Sequence, residues 1–115
     1  MKVAIIGSRG LTVKDLETYL PPDTTGIVSG GAKGVDTCAE QYAKQNGIPL
    51  RVFLPEYEKY GRFAPLKRNI RIVDYADVVL AFWDGSSRGT KYAIDYAEEK
   101  GKTVRLIVTE CHKKD

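Results

Sequence analysis

The run Val78-Val79-Leu80-Ala81-Phe82-Trp83, followed at once by Asp84-Gly85-Ser86-Ser87-Arg88-Gly89-Thr90, is the most informative stretch of this 115-residue chain. Six uncharged apolar residues in a row read as a strand covered on both faces. The glycine- and serine-rich segment after it is a turn. From Thr90 to about Lys100, Ala93, Ile94 and Ala97 recur at helical spacing, and Gly101 stops the helix. A buried strand that passes through a glycine-rich turn into a helix is the first half of a βαβ unit.

The same order repeats on either side. Val104 to Val108 is a final strand, and Val3 to Ile6 is an apolar strand ending at Gly7. Thr12 reads as the N-cap of a helix carrying Val13, Leu16 and Leu20, which Pro21-Pro22 would end. Thr25 to Val28 reads as a strand leading into Ser29-Gly30-Gly31-Ala32-Lys33-Gly34. Val35, Cys38, Ala39, Tyr42 and Ala43 then fit the i, i+3, i+4, i+7, i+8 helical template, with Gly47 beyond them. Leu50 to Leu54 is a third strand by the same reading. Glu56 to Pro65 shows no period, and Pro65 to Tyr75 reads as a helix with Leu66, Ile70 and Val73 inward. Strict alternation of strands and helices predicts the α/β class: one three-layer domain, about five parallel strands, helices on both faces. The domain is expected to fill residues 1–109, and residues 110–115 read as a polar tail.

Composition fits a folded domain, with 43% hydrophobic and 29% charged residues. The net charge of +3, from 18 basic and 15 acidic residues, is a mild excess compatible with anionic ligands. No stretch approaches the roughly 20 apolar residues of a membrane span. The opening Met1 to Ile6 reads as a strand, so no leader is expected. With the two cysteines, Cys38 and Cys111, in no Cys-x-x-Cys motif, this makes the cytoplasm the expected compartment. Cys111-His112, in the polar tail, offers no four-ligand metal set, so neither a metal nor a cofactor is expected.

Three loops follow strands and therefore share the carboxyl edge of a parallel sheet: Gly7-Ser8-Arg9-Gly10, Ser29 to Gly34, and Asp84 to Thr90. Helix N-termini with glycines and hydroxyls bind anions, because free N–H groups and the helix dipole point at them. Ser29, Ser86, Ser87 and Thr90 add hydroxyls, and Arg9, Lys33 and Arg88 add positive charge. Each loop alone is as readily a plain turn, but three on one edge point to a ligand. Neither the P-loop G-x-x-x-x-G-K-[ST] nor the dinucleotide G-x-G-x-x-G fits: Val35 follows Gly34, and Ser29 stands where a glycine is needed. Lys67-Arg68-Asn69-Ile70-Arg71 puts Arg68 and Arg71 on one helix face, which spacing alone reads equally as a solvated basic face.

Together these motifs resemble the SLOG superfamily, which includes the DNA-processing Smf/DprA proteins, the "lonely guy" nucleotide phosphoribohydrolases and small YspA-like proteins, the last being nearest. Gly7-Ser8-Arg9 resembles its first-strand motif, Ser29 to Asp36 its S-G-G-A-x-G-[VIA]-D motif, Arg68-Asn69 its R-N pair, and Gly85 to Thr90 its G-G-x-G-T phosphate loop. The resemblance implies a Rossmann-like fold that binds a nucleotide or nucleotide-derived phosphate ligand, ADP-ribose-like for example, as a sensor or signalling module. On that reading the ligand-binding residues are Gly7, Ser8, Arg9, Ser29, Gly30, Gly31, Lys33, Gly34, Asp36, Arg68, Asn69, Asp84, Gly85, Ser86, Ser87, Gly89 and Thr90. Phosphate would sit on Gly85 to Thr90, with Gly30, Gly31 and Asp36 on the opposite wall. The hydrolases carry a glutamate three residues after their G-T pair; here that position is Ala93, which does no acid–base work. N-glycosidic hydrolysis, with Asp36 or Asp84 as its carboxylate, stays as one alternative. Single-stranded DNA binding is another, through Arg62, Lys67, Arg68 and Arg71 with Tyr60, Phe63 or Trp83. The resemblance also implies a homodimer, with Tyr75, Tyr92 and Tyr96 as candidate contact residues.

Overall fold

A computed structural model describes residues 1–108; the tail with Cys111 and His112 lies outside the described residues. Five parallel strands form one sheet: β1 (Lys2–Gly7), β2 (Gly26–Ser29), β3 (Leu50–Val52), β4 (Val78–Trp83) and β5 (Thr103–Val108), in spatial order β3-β2-β1-β4-β5. The helices are α1 (Val35–Gln45), the single turn α2 (Tyr57–Tyr60), α3 (Ala64–Tyr75) and α4 (Arg88–Glu99). Chain order reverses between β1 and β4, where Val3 pairs with Val78 and Gly7 with Phe82. Adjacent loops leave these two strands toward opposite faces, which opens a crevice at their carboxyl ends.

The period of two along each strand sorts the core into two halves. Val3, Ile5, Ile27, Val78, Leu80 and Phe82 pack with Val35, Ala39 and Ala43 of α1. Ala4, Ile6, Val28, Val79 and Ala81 pack with Ile72 and Val73 of α3 and Ala93, Ile94 and Ala97 of α4. The domain is therefore three-layered, with helices on both faces and a single sheet between the two cores. This is a Rossmann-like α/β architecture, as the alternation of elements predicts. No helix among the described residues is long and apolar enough to cross a membrane.

Two local readings are corrected. The helix expected from Thr12 to Leu20 is only a 3-10 turn, Leu16–Thr18, preceded by Asp15 and not capped by Thr12. Thr12, Val13 and Thr18 are β-branched, and Pro21-Pro22 leaves no room to extend, so a helix here stays below the length at which it is stable. Buried Leu11 and Leu16 anchor the segment to the α1 face instead. The aperiodic stretch after Pro55 contains α2 and the 3-10 turn Gly61–Phe63. Neither turn buries a residue, so neither has an apolar period to detect.

Candidate functional site

A cleft of about 410 Å³ lies at the carboxyl ends of β1 and β4, lined by residues of the β1 loop, the start of α1, α3 and the β4–α4 loop. Of the expected residues it gathers Gly7, Ser8, Arg9, Asp36, Arg68, Asn69, Asp84, Ser87, Gly89 and Thr90. Its floor joins the two central strands. The Ser8 N–H donates to the Phe82 carbonyl at 3.1 Å, and the Ser8 Oγ accepts from the Asp84 N–H at 3.2 Å.

Arg68 is the organising side chain. It is only 8% exposed, whereas Arg71, which shares its spacing, is exposed; spacing alone had left open a solvated face for both. The face of α3 that turns inward carries Ala64, Arg68 and Ile72, with Val73 beside them; Leu66 and Ile70 are only half-buried. Arg68 Nη1 donates to the Gly30 carbonyl, and Nε donates to Asn69 Oδ1 at 2.8 Å. Asn69 Nδ2 in turn donates to the Gly89 carbonyl at 3.3 Å. The pair thus ties α3 to the β2–α1 loop on one side and to the first turn of α4 on the other. Burial holds the guanidinium below its usual pKa, and Asp36 opposes that shift. An arginine stays cationic in proteins regardless.

Glycines make this closeness possible. A Cβ at Gly30 would stand 2.8 Å from Arg68 Nη1 and 3.0 Å from Cδ and Cζ. Gly34, at φ +77°, lies against the carbonyl oxygens of Arg9 and Leu11, so the β1 and β2–α1 loops are in backbone contact.

The two cleft carboxylates differ. Asp36 is buried, and its Oδ2 accepts from the Ala32 N–H at 3.1 Å. Burial pushes its pKa above the ordinary 3.8, against that hydrogen bond and the charge of Arg68. Asp84 Oδ1 accepts from the amides of Ser86 (2.9 Å) and Ser87 (2.8 Å) and from the Ser86 hydroxyl (3.3 Å). Those two amide bonds hold its pKa below the ordinary value. The amides of Ser86 and Ser87 are therefore engaged within the loop. The first turn of α4, from Arg88 to Thr90, has amides without an intrahelical partner, and Gly89 and Thr90 of that turn line the cleft.

Seven expected residues stand elsewhere. Ser29 is fully buried, donating to Glu40 Oε2 at 3.0 Å and accepting from the Gly31 N–H at 3.3 Å, so it braces the loop. Gly30, Gly31 and Lys33 line a neighbouring pocket of about 270 Å³ together with Arg9, Ala32, Pro55, Tyr57 and Arg68. Gly34, Gly85 and Ser86 line neither cavity.

Residues 1–60 match the family model described as "YspA, cpYpsA-related SLOG family". The Gene 61 protein of Mycobacterium phage D29 is 35% identical over 113 positions, covering 87% of this chain and 90% of that protein. The chain belongs to the YspA, cpYpsA-related SLOG family. No solved structure matches it. The part matched by the SLOG model carries Gly7-Ser8-Arg9 and Ser29 to Asp36; Arg68-Asn69 and Gly85 to Thr90 lie beyond it, yet the fold closes them onto the same cleft. Ala93, at the position where the SLOG hydrolases have a glutamate, is buried in the core between α4 and the sheet. Reading of motifs missed Glu40 and Tyr57. Glu40 lies one helical turn beyond Asp36, a signal available in the sequence; Tyr57 sits in the stretch without a period.

Proposed function

We propose that this SLOG protein binds a nucleotide or nucleotide-derived phosphate ligand, with its phosphate against the first turn of α4 and its sugar toward Asp36. The observation that carries this reading is Arg68. A buried cation, bonded directly to the β2–α1 loop and through Asn69 to the first turn of α4, lines a cleft that also holds a helix N-terminus. Burying a charge is costly unless its partners or a ligand compensate, and neither of the ion pairs found among the described residues, Arg71–Glu56 and Lys91–Asp95, involves Arg68. An anion supplies that compensation. Asp36, on the opposite wall, suits the hydroxyls of a sugar, which donate to a carboxylate. Ligand capture without turnover is the form of the activity, as a sensor or signalling module in the cytoplasm, because Ala93 leaves the glutamate position of the hydrolases empty of acid–base chemistry.

Calorimetric titration with a nucleoside monophosphate tests it. Binding is expected, and Gly89→Ala should weaken it: nothing lies within 4 Å of a Cβ there in the free protein, so the methyl group meets only the ligand. Chromatography after long incubation should return the nucleotide unchanged; released base would move the reading to the hydrolase. Trp83 is poorly placed for stacking DNA bases, since its ring packs against the α3–α4 core and its Nε1–H donates to the Ser87 carbonyl at 2.9 Å. For a homodimer, Tyr92 is the freest of the three tyrosines. Tyr75 meets Phe53 edge to face, and the Tyr96 hydroxyl donates to Asp74 Oδ1 at 2.8 Å.

A further inference from the structure

The pocket beside the main cleft has features that the binding of a monophosphate does not use. It shares Arg9, Ala32 and Arg68 with the cleft, so the two cavities are neighbours across the Arg68 guanidinium. Arg9, Lys33 and Arg68 all line it. Arg9 lies close enough to Arg68 to disfavour its charge. Among the described residues none of these cations is in an ion pair. Asp36 acts on Arg68 from the main cleft but does not line this pocket, and like charges that converge on one cavity are repulsive until an anion enters.

The mouth of the pocket is of a different character. Tyr57 is 56% exposed and lines it, and Leu54, 61% exposed, lies against Gly31. A bare aromatic ring and a leucine at the rim of a cationic pocket suit a flat apolar ring attached to a phosphate. The glycines contribute here too. A Cβ at Gly31 would stand 2.6 Å from Leu54 Cδ2, so glycine lets the rim close down on the loop.

We propose that this pocket is a second anion subsite, and that the ligand is a two-ended nucleotide. Its first phosphate lies in the main cleft, its second phosphate lies against Lys33, Arg9 and Arg68, and its distal ring rests on Tyr57. This rests on the nucleotide reading above and names the ligand class within it: a nucleoside diphosphate that carries a further ring system, in preference to a nucleoside monophosphate. Arg68 then bridges the two phosphates with the guanidinium N–H donors that the Gly30 carbonyl and Asn69 leave over.

The test compares two exposed side chains that lie outside the main cleft. Lys33→Ala and Tyr57→Ala are titrated with AMP, ADP and NAD, with circular dichroism to confirm that both variants are folded. For AMP, affinity should match that of the unaltered protein in both variants. For ADP, Lys33→Ala should weaken binding by roughly tenfold or more, the loss of one charge-assisted contact, and Tyr57→Ala should not. For NAD, both should weaken it. Equal losses for AMP and NAD would overturn the proposal, since the pocket would then act only through the general field. Unchanged NAD affinity in both variants would overturn it as well, leaving the main cleft intact. Failure of all three nucleotides to bind the unaltered protein would overturn the nucleotide reading itself, and this proposal with it.

Discussion

Arg68 is where the account can be pressed hardest by single substitutions. Arg68→Ala removes the donor to the buried Gly30 carbonyl, and an unsatisfied buried acceptor costs about 1–3 kcal/mol. Chemical denaturation should show that loss together with a loss of ligand binding. Gly30→Ala pushes a methyl group to 2.8 Å from Arg68 Nη1, and overpacking of this kind costs about 1–3 kcal/mol. Gly89→Ala should do the reverse. It replaces a first-turn helical glycine at an ordinary φ with open space around the new methyl, so the free protein should gain up to about 1 kcal/mol while ligand affinity falls. Asp36 gives a pH test. Its folded pKa lies above 3.8, so its favourable contribution is complete below that value and declines as pH rises through the folded value. The difference in urea midpoint between the unaltered protein and Asp36→Asn should therefore grow in favour of the asparagine variant as pH rises from about 4, then level off. A pH-independent difference would contradict a buried Asp36 whose pKa is raised by burial. Asp36 and Arg68 were legible as site residues from motifs, but their burial was not. An arginine at helical spacing gives the same pattern whether its face meets solvent or a carbonyl.

The loop from Asp84 to Thr90 shows how an element end is made ready for a ligand. Asp84 gathers the amides of Ser86 and Ser87, and the Ser87 hydroxyl donates to Thr90 Oγ1 at 3.3 Å. The first turn of α4 is thereby held in place with its own amides outward. Asp84→Ala should raise the hydrogen-exchange rates of the Ser86 and Ser87 amides while leaving β4 protected; unaltered exchange there would refute the clasp. Because the folded pKa of Asp84 is depressed, its contribution is present above the ordinary value of 3.8 and is lost as pH falls through the folded value. The strands and the long helices α1, α3 and α4 were legible because each buries a periodic face. The segment between β1 and β2 was not. Thr12, Val13, Leu16 and Leu20 satisfy a helical template, yet the local cost of a short β-branched helix outweighs the pattern, and tertiary contacts of Leu11 and Leu16 take over.

At the scale of the whole molecule, the alternation of elements was enough to predict a parallel three-layer domain, and loop position was enough to place the candidate residues at one edge. The order β3-β2-β1-β4-β5 was not readable, because strand neighbours depend on which helix covers which face. That order nevertheless decides the site: it puts the β1 and β4 loops side by side, and Arg68, from α3, lines the cleft that they form. It also separates a main cleft from a cationic side pocket, a division that no motif marks. The central claim, that this edge of the sheet holds a nucleotide, is tested most directly by thermal unfolding of the full chain against AMP, ADP, GTP, NAD, ADP-ribose, cyclic nucleotides and a short single-stranded oligonucleotide. A ligand at about 100 times its dissociation constant stabilises the native state by about 2.7 kcal/mol, on the order of ten degrees for a domain of this size. The account predicts such a shift with a small nucleotide, larger for a two-ended one, and abolished in Arg68→Ala. A shift with the oligonucleotide alone, or with nothing in the panel, would contradict it.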